Sequence, residues 1–480
     1  MSAQRNVPGA AGLRHFGPSW ALMTLASIVV SFLAGSSAPT PLYATYQRVW
    51  GFSPITTTIV FGVYGLAFLV GLLVLGRVSD HLGRRPVILV ALGVQAVSMV
   101  VFATVGGVGQ LIVARVLQGV STGAAVPAVG AAMLDISRIR GAVANSVAPG
   151  AGTAIGALVS AVAVRYLPAP MDLIYLALIA VFAMQTLAIA LVPETVRRAP
   201  GVVGSLRPEL SFPRRLRPLI LTASPVLFAV WALAGFYGSL GPALIAELVG
   251  SSSAVYGGLG LFVLAGTAAA SGLLLRDQDA HTVMLVGIVS LMAGVALSLA
   301  SISAHSAAGF FAGTTVAGVG FGSGFQGGIR MVMPHACARE RAGTLSTLYV
   351  VSYLGLSGPA VVAGVLVVHA GGLIATAREY GVGVILLAGL ALIRLLRTHA
   401  PPRTAPVQDD SSHCAEVVTV SDSRSARGSC PPPTSAASMG LVLPNCRESE
   451  SPFPYGCSSG PTGVRWSGGS AWAVKTSNGR

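Results

Sequence analysis

Long apolar stretches, separated by short polar segments, recur through the first 397 residues of this chain. A helix of about 20 apolar residues is long enough to cross the roughly 30 Å of hydrocarbon in a lipid bilayer. Twelve such stretches predict an all-α membrane protein with twelve transmembrane helices. They cover residues 19–41, 55–75, 86–105, 109–132, 142–164, 173–192, 219–246, 254–275, 282–301, 307–333, 342–368 and 376–397.

The scarcity of charge supports a membrane protein. Only 10% of the 480 residues are charged and 53% are hydrophobic, whereas soluble domains carry about 25% charged residues. So few charges cannot cover the surface of a soluble protein. The composition therefore excludes an ordinary soluble enzyme and a disordered chain.

The positions of the arginines predict the orientation. The net charge is +14, but the only lysine is Lys475, and most arginines before residue 398 lie between the apolar stretches or at their ends. With the amino terminus inside, nineteen arginines fall on cytoplasmic segments and three on external ones, as expected for arginines retained in the cytoplasm. The pattern indicates a multi-pass protein of the plasma or inner membrane with both termini cytoplasmic, and it argues against nucleic-acid binding.

The stretches divide into two groups of six. Residues 1–18 form a cytoplasmic amino terminus, residues 19–192 a first six-helix bundle, and the proline- and arginine-rich residues 193–218 a cytoplasmic linker. Residues 219–397 form a second bundle. Residues 398–480 are rich in Ser, Pro and Gly and cannot bury enough apolar surface to fold, which predicts a disordered cytoplasmic tail.

The two groups are weakly alike at an offset near 200. Arg140 opens the fifth stretch and Arg341 the eleventh, and each stretch is later interrupted by neighbouring glycine and proline residues. Paired halves with interrupted helices at matching places are typical of duplicated transporters, whose binding site lies between the halves.

The loop between the second and third stretches carries the sharpest motif, Gly-Arg-Val-Ser-Asp-His-Leu-Gly-Arg-Arg. It resembles the major facilitator superfamily pattern G-x-x-x-D-(R/K)-x-G-(R/K)-(R/K), with His81 where the family has a fixed cation. The resemblance implies two six-helix bundles, and an aspartate that binds the amino terminus of helix eleven in the outward-open state. The matching residues, predicted to form a conformational switch, are Gly76, Asp80, Gly83, Arg84 and Arg85.

Two further elements are similar to the family's drug:proton antiporters. Arg115, Gln118 and Gly119 match an R-x-x-Q-G element in the fourth stretch. The fifth stretch resembles a Gly-Pro-rich antiporter element, although Ala148 replaces a glycine. Its predicted hinge residues are Pro149, Gly150, Gly152 and Gly156.

Arg115 is the one charge clearly inside a predicted span, and two interpretations are open. It lines the transport pathway and influences substrate or proton binding, or it is a structural arginine satisfied by helix carbonyls. No Asp or Glu lies in the middle of a span, so Glu247, near the outer end of the seventh, is the best candidate for a coupling carboxylate.

Family geometry places helices 1, 4, 7 and 10 around the central cavity. Aromatic rings with a few polar groups suit amphiphilic organic molecules, although each single ring is often a packing residue. The candidate lining residues are Tyr43, Tyr46, Trp231, Tyr237, Phe325 and Gln326.

The sequence thus predicts a monomeric secondary transporter that exports small organic compounds by proton antiport and alternating access. The alternatives are an uncoupled facilitator, a sugar or metabolite transporter, and a non-transporting membrane sensor on the same fold. No P-loop, HExxH or GxSxG motif occurs, so we expect no enzymatic activity, no metal and no cofactor. The expected partners are a small-molecule substrate, protons and the lipid bilayer.

The topology can be tested with reporter fusions. A reporter enzyme that works only in the cytoplasm should be active when it is fused after residue 205, and one that works only outside should be inactive. The reason is that this linker carries the densest group of arginines. An external location for residue 205, or an odd number of crossings, would overturn the predicted orientation of both bundles.

Overall fold

The computed structural model describes residues 17–397 apart from residues 197, 252 and 338. The predicted amino terminus and tail therefore lie almost entirely outside the described residues. Within the described part there is no strand, and twelve helices have 20 residues or more. They are α1 (Pro18–Ser37), α2 (Pro54–Leu75), α3 (Arg84–Ala103), α4 (Val108–Ile136), α5 (Arg138–Tyr166), α6 (Pro170–Leu191), α7 (Arg217–Ser239), α8 (Ala254–Leu274), α9 (Ala280–Ser303), α10 (Ala307–Val332), α11 (Arg341–His369) and α12 (Gly372–Arg397).

Eleven of these helices are both long enough and apolar enough to cross a membrane. The exception is α10, whose many glycines dilute its hydropathy although its 26 residues span about 39 Å. Helix α10 packs between α8 and α9, and its glycines allow those helices to approach closely. The all-α fold is confirmed, and α10 is a core helix of the second half.

The helix breaks near the end of two predicted stretches, and a short helix follows each break. Residues 19–41 contain α1 and a turn that leads to a short helix, Tyr43–Trp50; residues 219–246 contain α7 and most of a second short helix, Gly241–Val249. Proline has no N–H to donate to a continuing helix, so the two breaks fall at proline-containing segments. The prolines are Pro39, Pro41 and Pro242.

The two halves repeat the same helix pairings. In the first half α1 packs on α5, α2 on α4, and α3 on both α4 and α6. In the second half α7 packs on α11, α8 on α10, and α9 on both α10 and α12. The halves meet through two equivalent pairs, α2 with α11 and α5 with α8. This arrangement is the internal repeat expected of a duplicated transporter.

We call the end of the bundle that holds the loops α2–α3, α4–α5, α6–α7, α8–α9 and α10–α11 the arginine-rich end. Towards the opposite end the halves pack backbone to backbone: a Cβ placed on Gly258 of α8 would lie 2.6 Å from the Ala157 carbonyl oxygen of α5. On α2, the same construction at Gly62 reaches Val361 of α11 at 3.2 Å. Small residues therefore hold the halves together there.

At the arginine-rich end the halves are joined by the segment between α6 and α7. Glu209 of this segment pairs with Arg77 in the α2–α3 loop. Two residues further on, the Ser211 N–H donates to the Gly343 carbonyl at 3.2 Å, and the Thr347 hydroxyl donates to the Ser211 carbonyl at 3.0 Å. The linker thus contacts the first half and the start of α11.

The close contact at Gly258 predicts the effect of adding a side chain. Gly258→Val forces α5 and α8 apart, and overpacking of this kind costs about 1–3 kcal/mol. We expect the melting temperature of the purified protein in detergent to fall by several degrees. Gly93→Val is the matched control, because nothing lies within 4 Å of a Cβ built on this exposed glycine of α3. Equal melting temperatures for the two variants would contradict the tight α5–α8 contact.

Candidate functional site

Arg115, in the first third of α4, is fully buried with an exposure of 0%. Its Nη1 donates to the Ser36 carbonyl at 2.8 Å and to the Gln118 side-chain oxygen at 2.7 Å. Its Nη2 donates to the Tyr43 hydroxyl. One guanidinium group therefore ties α4 to the end of α1 and to the short helix that follows α1.

Aromatic rings surround the rest of the guanidinium. Its carbon lies 5.4 Å from the Tyr64 ring centre, 5.6 Å from that of Tyr43 and 5.8 Å from that of Phe102, within the range of cation–π attraction. No Asp or Glu is among the buried side chains of the described residues, and Nε of Arg115 has no hydrogen-bond partner there. These contacts agree with the structural interpretation of Arg115, and they leave its charge without a counter-ion.

The other two residues of the R-x-x-Q-G element lie in the same crossing of helices. The Gln118 amide donates to the Gly35 carbonyl of α1 at 3.0 Å. Gly119 lets α2 approach α4, since a Cβ there would lie 2.6 Å from the Tyr64 carbonyl oxygen. The element therefore fastens α1, α2 and α4 together within the first half.

The structure places Tyr46 inside the first half. Its hydroxyl lies 3.0 Å from that of Tyr175 on α6, and its ring stacks on Trp50 with centres 4.8 Å apart. Both tyrosines have an exposure of 0%. Tyr43, at 3%, is almost as deeply buried against Arg115, so the two predicted lining tyrosines of this region pack within one half.

In the α2–α3 loop, Arg84 is the centre of a charged network. Its Nη1 donates to Asp80 at 2.5 Å and to the Ser79 hydroxyl at 2.8 Å, and its Nε donates to Asp135 at 3.4 Å. Asp135 belongs to the end of α4. The structure thus pairs Asp80 with Arg84 in this conformation, and the residue at the start of α11 is Glu340.

Glu194, which follows α6, caps the amino terminus of α3. Its carboxylate accepts the Arg84 N–H at 2.9 Å and the Arg85 N–H at 3.0 Å. Gly83 permits this contact, because its φ is 99° and a Cβ on it would lie 2.6 Å from the Glu194 carboxylate. The sequence contained Glu194 in a Pro-Glu-Thr segment, but nothing local showed which helix it caps.

The predicted hinge residues of α5 lie in a helix that is continuous from Arg138 to Tyr166. Gly150 faces the second half, where a Cβ on it would lie 2.9 Å from Ala269 of α8. Gly152 and Gly156 instead pack against the backbone of α1. Pro149 accepts a hydrogen bond from the Thr153 hydroxyl at its carbonyl oxygen.

A cluster of aromatic rings lies where α2, α7, α10 and α11 meet, and we call it the Trp231 cluster. The Trp231 ring lies 5.8 Å from Phe321, 5.4 Å from Phe325 and 4.9 Å from Tyr353, and Tyr353 stacks on Phe68 of the first half at 4.4 Å. The indole N–H of Trp231 is buried and has no hydrogen-bond partner among the described residues. A buried indole N–H usually has a partner, so this donor is unsatisfied among the described residues.

Sequence reasoning found Trp231 and Phe325 but missed Phe68, Tyr353 and Tyr349, whose ring lies 6.3 Å from Phe325. The sequence-based prediction takes cavity-lining residues only from helices 1, 4, 7 and 10 and the segments that follow them. The signal that could have found two of the missed rings is the i, i+4 spacing of the α11 tyrosines, which places both on one helix face.

Three other candidates lie away from this cluster. The Tyr237 hydroxyl and that of Thr314 are 2.7 Å apart in the core of the second half. The Gln326 side chain packs against Gly272 of α8. Glu247 is exposed on the short helix that follows α7. These three residues do not form one site with the Trp231 cluster.

Comparison with known proteins identifies related sequences. The family model described as Major Facilitator Superfamily matches residues 23–361. An uncharacterized MFS-type transporter of Mycobacterium tuberculosis is 31% identical over 162 residues, which are 34% of this chain and 27% of that protein. The inner membrane transport protein YajR of Escherichia coli is 33% identical over 121 residues, 25% of this chain and 26% of that protein. The matches thus span about a quarter of the length of these relatives.

Solved structures show the same fold. The nucleoside transporter NupG superposes with a TM-score of 0.59 at 13% identity, covering 78% of this chain and 98% of the other. A bacterial homolog of the human lysosomal transporter Spinster, in an inward-facing and unoccupied conformation, superposes with a TM-score of 0.57 at 14% identity. That match covers 79% of this chain and 95% of the other.

The contacts of Arg115 predict the result of a conservative change. Arg115→Lys replaces the planar fork by a single ammonium that cannot reach Ser36, Gln118 and Tyr43 together. We expect a loss of about 1–3 kcal/mol in stability, measured as a lower melting temperature in detergent. Arg165→Lys, at an exposed arginine beyond the membrane-spanning core, is the control and should melt like the unmodified protein. If the Arg115→Lys variant has the same melting temperature as the unmodified protein, the contacts of Arg115 to α1 do not stabilise the first half.

Proposed function

Because the chain belongs to the major facilitator superfamily, and is therefore a membrane transporter of that type, we propose that it exports small amphiphilic organic compounds across the cell membrane by proton-driven alternating access. The substrate binds between the two halves, and transport proceeds by rocking of one half against the other.

The Trp231 cluster is the observation that carries the proposed substrate class. Its rings come from both halves, since Phe68 belongs to α2 and the others to α7, α10 and α11. Aromatic faces bind apolar bodies, and the single unpartnered indole N–H offers a hydrogen bond to one acceptor atom. An organic molecule with a flat apolar body and a few polar atoms fits this chemistry.

The packing between the halves supports alternating access. Close backbone contacts join α5 to α8 and α2 to α11 towards the end opposite the arginine-rich end. At the arginine-rich end, Asp80 is paired with Arg84 of its own half. We propose that rocking separates the close contacts and brings Asp80 to the amino terminus of α11. Gly76, Gly83, Arg84 and Arg85 then act as the switch loop.

The absence of buried carboxylates among the described residues bears on coupling. Glu247 is exposed, so it is a poor candidate for a proton carrier within the membrane. We propose that coupling depends on the uncompensated charge of Arg115 and on the charge of the substrate itself. The absence of buried carboxylates among the described residues also favours the second candidate function, an uncoupled facilitator.

Flux measurements separate these functions. Purified protein in proteoliposomes, tested with a panel of organic dyes, antibiotics and sugars, should move at least one dye or antibiotic at a rate that rises with an imposed pH gradient. Trp231→Ala should lower this flux about tenfold, because a buried aromatic pair contributes roughly 0.5–1.5 kcal/mol and about 1.4 kcal/mol corresponds to a factor of ten. Trp50→Ala is the matched control, since this tryptophan lies outside the cluster and stacks on Tyr46.

Three results would contradict the proposal. Flux that ignores the pH gradient would show a facilitator, and transport of sugars alone would show a metabolite transporter. Absence of flux for the whole panel, in protein that folds normally, would favour a membrane sensor.

A further inference from the structure

A cavity of about 520 Å³ lies at the arginine-rich end of the second half, away from the Trp231 cluster. It is an open cavity, lined by the start of α9, the end of α10 with the 3₁₀ turn that follows, and the start of α11. The lining residues are Ala280, Ile329, Arg330, Met333, Pro334 and Arg341.

Two guanidinium groups face this cavity, and neither is paired with a carboxylate within the described residues. Arg330 donates to the carbonyl oxygens of Leu275 at 3.3 Å and Gln278 at 2.6 Å, and Arg341 donates to that of Ala336 at 3.3 Å. A guanidinium has five N–H donors, so most donors of both groups remain available. The positive amino-terminal ends of α9 and α11 add to the potential at the same place.

At the arginine-rich end of the first half, by contrast, the arginine at the start of α3 is paired with carboxylates. There Arg84 is paired with Asp80 and Asp135, and Glu194 caps α3. In the second half the nearest equivalent acid, Asp279, caps α9: hydrogen bonds from Thr282, first of all from its backbone N–H, lower the pKa of the Asp279 carboxyl. The other two acids of this region, Glu340 and Asp277, are paired with Arg215 and Arg276. Its carboxylates are therefore engaged elsewhere, and Arg330 and Arg341 have no carboxylate partner among the described residues.

The remaining lining distinguishes a lipid from a soluble anion. Ala280, Ile329, Met333 and Pro334 contribute only apolar side chains. A free phosphate would leave this surface exposed to water, whereas a phosphate that carries hydrocarbon covers it. Basic pockets between transmembrane helices are suited to anionic lipid headgroups.

We propose that this cavity binds the phosphate group of an anionic phospholipid, with Arg330 and Arg341 as donors to the phosphate oxygens and the apolar wall against the start of the acyl chains. Arginine forms paired hydrogen bonds with phosphate. The site is separate from the transported substrate and does not depend on the direction of transport.

Native mass spectrometry of the full chain in detergent tests this site. The unmodified protein should retain phosphatidylglycerol at least about fivefold better than phosphatidylcholine, since each arginine near anionic lipid contributes on the order of a fivefold change in affinity. The double variant Arg330→Gln/Arg341→Gln should bind both lipids equally. The single variant Arg341→Gln removes one hydrogen bond that an exposed arginine makes. It should lose part of the preference and keep the melting temperature.

The matched control is Arg276→Gln/Arg207→Gln, which removes the same charge from exposed positions at the same end. It should keep the preference for phosphatidylglycerol. Equal loss in this control, or no loss in the Arg330/Arg341 variant, would overturn the site. If inorganic phosphate or glycerol phosphate at millimolar concentration displaces phosphatidylglycerol, the cavity is a soluble-phosphate site and the lipid assignment is wrong.

Discussion

The close approach of helix backbones at small residues is the constraint on which this structure depends. In hydrocarbon there is no hydrophobic force to drive helices together, so association depends on van der Waals packing and on interhelical hydrogen bonds. Gly258 against Ala157 and Gly62 against Val361 bring the two halves into contact, and Gly119 brings α2 onto α4. Interfaces built from small residues lack long interlocking side chains, which is compatible with the proposed rocking of the two halves.

The buried charge of Arg115 is compatible with this packing because its acceptors come from several helices. The end of α1 provides the Ser36 carbonyl, the following short helix provides Tyr43, and α4 provides Gln118. Burying a guanidinium in the membrane costs free energy, so it is stable there only when hydrogen-bond acceptors are held in place around it. The first half therefore has a polar centre, whereas the matching region of the second half is formed by the Tyr237–Thr314 pair and apolar residues.

The two halves share helix pairings but differ in charge at the arginine-rich end. In the first half, three carboxylates meet the start of α3; in the second, Arg330 and Arg341 bind only backbone carbonyls within the described residues. Duplication of a fold preserves where helices cross, because crossings depend on backbone shape. It leaves the side chains at the helix ends free to diverge. At the arginine-rich end, the first half has a network in which Arg84 is paired with carboxylates, and the second half has an open basic cavity.

The sequence alone determined the twelve helices and the division into two halves, because the length of an apolar run and the placement of arginines are local properties that the bilayer imposes. It also identified Arg115, the α2–α3 loop and Trp231 as residues of interest. Only the tertiary structure decided that Tyr46 packs within one half, that Glu194 caps α3, and that Phe68 and Tyr353 complete the Trp231 cluster. The physical reason is that these contacts join residues far apart in the chain, and which of them meet is set by the positions where small residues allow helices to approach.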